Sequence, residues 1–82
     1  MSLARALEIA TDFVDAAGEE HPIVRQMIAA NDAVSGTTSR TWRESLAAPF
    51  PEDHAATVVA LCQDLTRSMG MPWKPPPHLL DP

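Results

Sequence analysis

Glycine and proline divide this chain into four short apolar segments and a tail, and that division limits the folds it can adopt. The breaks between segments are marked by Gly18, Pro22, Gly36, Pro49, Pro51 and Gly70. Apolar residues recur at spacings of three and four inside each segment, as on one face of a helix. No stretch alternates as a strand would. The pattern predicts an all-α fold: a small bundle of about four helices over residues 1–70, followed by a proline-rich, extended tail over residues 71–82.

Local signals predict where the helices begin and end. Ser2 suits an N-cap, and Thr41 and Glu44 have the spacing of a capping box. The predicted helices run from Ser2 to Gly18, from Pro22 to about Val34, from Thr41 to Ala48 at most, and from Pro51 to Gly70. The predicted core is apolar and drawn from all four helices: Leu3, Leu7, Ala10, Val14, Ile23, Met27, Val34, Trp42, Leu46, Val58, Leu61, Cys62 and Leu65.

Composition narrows the class of protein further. Cys62 is the only cysteine among 82 residues, so no disulfide within the chain can form, and its apolar surroundings predict a buried side chain rather than a reactive thiol. A single cysteine suits a reducing compartment. The N-terminal segment lacks the uninterrupted apolar core of a signal peptide, and no apolar run approaches the length that spans a bilayer. We therefore expect a cytoplasmic protein without a membrane segment.

The residue types that carry catalysis or bind metals are present but not grouped. His21, His54 and His78 are each expected next to an element boundary, as solvated histidines often are, and none has metal-ligand spacing with Cys62. There is no nucleophile elbow and no glycine-rich phosphate loop. The sequence predicts no catalytic residue, no metal and no cofactor, and hence a protein that is not an enzyme.

The net charge of −5 is concentrated near the N-terminus. Residues 1–20 hold five carboxylates against Arg5, a net charge of −4. Four of these carboxylates recur at helical spacing on one side of the first predicted helix: Glu8, Asp12, Asp15 and Glu19. They form either a solvated helix face or a surface that meets a basic partner. The second interpretation predicts a protein partner.

The tail offers a second candidate binding segment. Trp73, Leu79 and Leu80 are too apolar for a purely solvated terminus, and Lys74 lies within a Pro-x-x-Pro pattern. The tail is either a loose end, or an arm that packs on the helices or docks in an aromatic groove of a partner.

Residues 29–47 resemble a helix-turn-helix motif: Ala29, the turn at residues 33–35 and Thr38 lie about where such motifs place a small residue, a turn and a threonine. The match departs from the motif at Ala33, where glycine is commonest, and at Ser39, where a buried aliphatic residue normally lies. Arg40 and Arg43 would supply the nucleic-acid contacts, although the acidic balance of the chain disfavours phosphate binding. The alternative is a plain corner between two helices, with Trp42 filling the core.

Two functions therefore follow from the sequence. The first is a non-catalytic, acidic helical protein that acts through protein–protein interaction or self-association, as an accessory subunit, regulator or inhibitor. The second is a DNA-binding regulator that uses residues 29–47.

Overall fold

The computed structural model describes residues 2–70, and these form an all-α fold. Its four helices are α1 (Leu3–Ala17), α2 (Pro22–Ser35), α3 (Trp42–Leu46) and α4 (His54–Ser68). The predicted fold class is thereby confirmed for the helical part. The predicted proline-rich tail, residues 71–82, lies outside the described residues.

The predicted boundaries of α1 and α2 are confirmed to within a residue. The Ser2 hydroxyl accepts a hydrogen bond from the Arg5 amide, and α1 ends before Gly18. Pro22 begins α2, and the Nδ1 atom of His21 caps it by accepting from the Ile23 amide at 3.1 Å. Gly36 ends α2 in the left-handed conformation, with φ at 70°, which glycine adopts without steric cost.

The other two helices are shorter than the sequence patterns suggest. The Thr41 hydroxyl accepts from the Glu44 amide as predicted, but α3 already ends at Leu46. Pro51 belongs to a turn that leads into α4 and does not form its first helical residue; the His54 amide donates to the Pro51 carbonyl.

The core lies where α4 packs against α1 and α2, while α3 contacts α2 and α1. Its buried apolar residues are Ala6, Ala10, Val14, Val24, Met27, Ile28, Trp42, Ala55, Val58, Val59, Cys62 and Leu65. Trp42 therefore belongs to the core, as the sequence predicts. Among residues 2–70, no helix is both long enough and apolar enough to cross a bilayer.

The predicted core of α2 was right about Met27, which is buried, but wrong about Val34. Val34 was expected inside but is 48% exposed. The buried face of α2 passes through Val24, Ile28 and Asn31 rather than through Ile23 and Val34, because a polar residue occupies one of the inward positions. Other predicted core residues are only half-buried at its margin: Leu3, Leu7, Ile23, Leu46 and Leu61.

Candidate functional site

The acidic face of α1, made of Glu8, Asp12, Asp15 and Glu19, points away from the core. At about 100° per residue, its three helical members lie opposite the buried Ala10. Glu8, Asp12 and Asp15 are exposed. Glu19 is half-buried and lies in the turn before α2, beyond the end of the helix that was expected to carry it, so helical spacing does not place it with the other three.

Little positive charge compensates this face. Arg5 pairs with Glu8 at 2.9 Å, but both side chains are more than half exposed, and such pairs stabilise a fold weakly. Within residues 2–70, Asp12, Asp15 and Glu19 form no ion pair. The face therefore presents uncompensated negative charge to solvent, which is the property that steers a basic partner.

The predicted nucleic-acid residues lie in the turn between α2 and α3, which holds Arg40, and on α3, which holds Arg43. Arg40 and Arg43 are both exposed. The Arg40 main chain is fixed at both ends: its carbonyl accepts from the Arg25 guanidinium at 2.9 Å and its amide donates to the Glu44 carboxylate at 2.7 Å. In this capping box the Glu44 carboxylate therefore accepts from the amide of Arg40, the residue before the cap, and not from the amide of Thr41 itself. Arg43 lies on α3, which has only five residues.

Asp32 organises the turn between α2 and α3. Its carboxylate accepts from the Ser39 amide at 2.8 Å, from the Ser39 hydroxyl at 2.7 Å and from the Thr37 hydroxyl at 3.0 Å. These hydrogen bonds, those from Ser39 first, lower the pKa of Asp32. Ser39 thus binds a carboxylate at the position where a helix-turn-helix would bury an aliphatic side chain.

Sequence reasoning missed a buried polar cluster, which we define as Asn31, Ser45 and His54. The Asn31 amide nitrogen donates to the Ser45 hydroxyl at 3.1 Å, and its oxygen lies 2.7 Å from Nε2 of His54. Ser45 donates in turn to the Trp42 carbonyl at 2.8 Å. The cluster therefore joins α2, α3 and α4 inside the core. The available signal was Asn31, which lies three and seven residues after Ile28 and Val24 on an apolar face.

The histidine of this cluster was predicted to be solvated, and that prediction was wrong. His54 is 3% exposed and stacks on Phe50, with ring centroids 5.1 Å apart. Burial lowers the pKa of His54, and the nearby Asp53 carboxylate opposes this only in part. Because the Asn31 nitrogen donates to Ser45, its oxygen is left to accept, so neutral His54 carries its proton on Nε2.

A second polar contact ties α3 to α1. The Trp42 indole nitrogen donates to the Thr11 hydroxyl at 2.8 Å, and Thr11 donates to the Leu7 carbonyl at 2.8 Å. The indole therefore has its polar edge satisfied although the side chain is buried. Neither Thr11 nor Trp42 exposes a reactive group.

Cys62 is buried, as the sequence predicts. Desolvation raises the pKa of its thiol to about 12, so the thiolate that a nucleophile or metal ligand requires is disfavoured. In the described part of the chain, no three side chains of His, Cys, Asp or Glu are grouped so that they could hold a metal ion.

The predicted tail contacts, Trp73, Lys74, Leu79 and Leu80, lie outside the described residues. None of the protein-family models, curated proteins or solved structures compared with the chain matches it. Its function therefore has to be inferred from its own surface and interior.

Proposed function

We propose that this chain is a non-catalytic interaction protein that binds a basic protein surface through the acidic face of α1. An accessory subunit, a regulator and an inhibitor are the roles that suit such a chain. One observation carries the proposal: three exposed carboxylates share the outer side of one helix, and only Glu8 has a cationic neighbour among residues 2–70. Like charges at this spacing destabilise a helix slightly, so helix stability does not account for the arrangement, whereas binding to a basic partner does.

The chemistry of the other candidate groups supports a binding role over a catalytic one. The buried histidine and the buried thiol are the most chemically versatile side chains in residues 2–70, yet both are enclosed in the core. Substrate in solution would not reach either without opening the fold. The exposed surface instead offers charge, which favours encounter and orientation of a partner.

The test is affinity capture from the native cell with the full-length chain as bait. The double variant Asp12→Lys with Asp15→Lys should lose a set of captured proteins. The matched control, Glu20→Lys with Glu52→Lys, makes the same change of charge at exposed positions away from the centre of the face and should keep that set. Capture that is equal for both variants would refute a role for the acidic face.

A second variant in the same affinity capture tests the tail. The triple variant Trp73→Ala, Leu79→Ala and Leu80→Ala keeps the length of the chain and its acidic face. If the tail is the principal binding segment, this variant will lose the captured proteins while the acidic-face variant keeps them. That outcome would move the proposed interface from α1 to residues 71–82.

DNA binding through residues 29–47 is the second candidate, and it draws on the exposed side chains of Arg40 and Arg43. Five residues give α3 a length of about 7.5 Å, which is short for a helix that reads bases in the major groove. This function predicts a salt-sensitive shift of duplex DNA that Arg40→Ala and Arg43→Ala abolish. No shift at about 50 mM salt, where phosphate contacts are strong, would refute it.

A further inference from the structure

His54 is a titratable side chain that the proposed binding function does not use. His54 is the first residue of α4, and its ring contacts two other parts of the fold. It stacks on Phe50 of the preceding loop and bonds Asn31 of α2 at 2.7 Å. The amide nitrogen of Asn31 in turn donates to the Ser45 hydroxyl of α3. A change in the charge of this ring therefore acts on the packing of α3 against the other helices.

The surroundings of the ring suit neutral histidine and not the cation. Nε2 already carries a proton, so a second proton has to go to Nδ1. The N-terminal end of a helix disfavours positive charge, and His54 is the first residue of α4. Burial adds a desolvation penalty for the charged ring.

The charged groups nearby do not remove this penalty. Asp53, the residue before α4, attracts the cation but is exposed to solvent. On α2 the single carboxylate, Asp32, is turned towards Ser39 and Thr37. On α3, Arg43 and Glu44 are exposed, and Glu44 is bonded to the Arg40 amide. On α1 the acidic face points away from the core.

The two weakest parts of the fold are linked to the ring: the loop before α4 through Phe50, and α3 through Asn31 and Ser45. The loop before α4 has five exposed residues among its seven, residues 47–53. The five-residue helix α3 buries two side chains, Trp42 and Ser45, whereas α4 buries seven. Water can reach His54 at least cost if Phe50 and α3 move and the three longer helices stay packed.

We propose that His54 is an acid-sensitive switch: when its ring takes up a second proton, Phe50 leaves the ring, α3 is released from α1 and α2, and Trp42 becomes exposed. The release breaks the bond between the Trp42 indole and Thr11 of α1. It uncovers a large apolar side chain that is 3% exposed in the closed fold. Mild acid therefore changes which surface this protein offers.

The size of the response follows from the uptake of one proton. In the released state the ring is in water and has the ordinary pKa of 6.5, whereas in the closed state its pKa is lower. Between these two values the ratio of released to closed molecules rises up to about tenfold for each pH unit of acidification. Above pH 6.5 the closed state is favoured.

The test uses a chain in which His54 is the only histidine and Trp42 the only tryptophan. His21→Asn keeps a capping side chain at the start of α2, and His78→Gln and Trp73→Phe complete the background. Acrylamide quenching of Trp42 is followed from pH 8 to pH 5, with helix content measured in the same samples. Quenching should rise with a midpoint below pH 6.5, while most of the helical signal remains.

The matched variant adds His54→Gln, whose amide nitrogen can still donate to Asn31 but does not titrate. Its quenching should stay constant across the same range. Superimposable curves for the two chains would overturn the proposal, and so would a loss of helix content in parallel with the quenching, because that is global unfolding. In the unsubstituted protein, the NMR signals of the His54 ring and the Trp42 indole N–H should titrate with one midpoint; different midpoints would equally overturn it.

Discussion

Replacing Asn31 with alanine tests whether the buried polar cluster holds the fold together. Asn31 is 1% exposed, and its amide joins His54 to Ser45. The substitution leaves the His54 N–H buried without an acceptor, which costs about 1–3 kcal/mol. Ser45 keeps its bond to the Trp42 carbonyl, so the loss there is a single hydrogen bond, about 1 kcal/mol.

The expected total is about 3 kcal/mol once the small cavity left by the amide is included. A domain of this size has a free energy of unfolding of about 4–10 kcal/mol, so the variant loses a large share of it. Urea denaturation at pH 7.5, followed by helix content, measures the difference. With a slope of about 1 kcal/mol per molar urea, the midpoint should fall by about 3 M.

Gln26→Ala is the matched control for this measurement. It removes an amide from the same helix at an exposed position, where a substitution changes the free energy of unfolding by about 0.5 kcal/mol at most. If Asn31→Ala lowers the midpoint no further than Gln26→Ala does, the cluster does not stabilise the fold and its hydrogen bonds are incidental.

Three further outcomes follow from the described contacts. Trp42→Phe removes the indole bond to Thr11 and part of the buried ring, and should lower the free energy of unfolding by about 1–2 kcal/mol in urea; an unchanged midpoint would mean that the bond contributes nothing. Gly36→Ala forces a side chain into the left-handed region at φ 70° and should cost about 1 kcal/mol, whereas Gly36→Asn should cost less because asparagine tolerates this conformation; equal losses would contradict the assigned cap. Cys62 is buried with a thiol pKa of about 12, so iodoacetamide should modify it only in urea beyond the midpoint; rapid modification of the native chain would show that the thiol is accessible.

The ends of α1 and α2 were predictable because their signals are local. Ser2 caps an amide three residues away, and Gly36 needs only its own backbone to end α2. The burial of Trp42 and Cys62 was predictable for a related reason. Both lie among apolar residues at helical spacing, and in a chain this small such a face packs into the core.

The buried polar cluster was not predictable because its contacts are distant in sequence. His54 is acceptable in the core only because Asn31, 23 residues earlier, supplies an acceptor. A sequence pattern that scores polar residues as exposed places both on the surface, and it also shifts the buried face of α2 towards Val34. The same difficulty applies to Ser39, whose role depends on Asp32, seven residues before it.

The two proposals concern different parts of the molecule and can fail independently. The acidic face lies on the outer side of α1, whereas His54 begins α4 and bonds α2. The Trp42 bond to Thr11 links α3 to α1. Since α1 packs mainly on α4, release of α3 leaves the acidic face supported. The Asp12→Lys and Asp15→Lys variant should therefore keep the acid response of Trp42, and His54→Gln should keep the captured partners at neutral pH. A variant that loses both properties has lost its fold and tests neither proposal, so helix content in each sample decides whether its result counts.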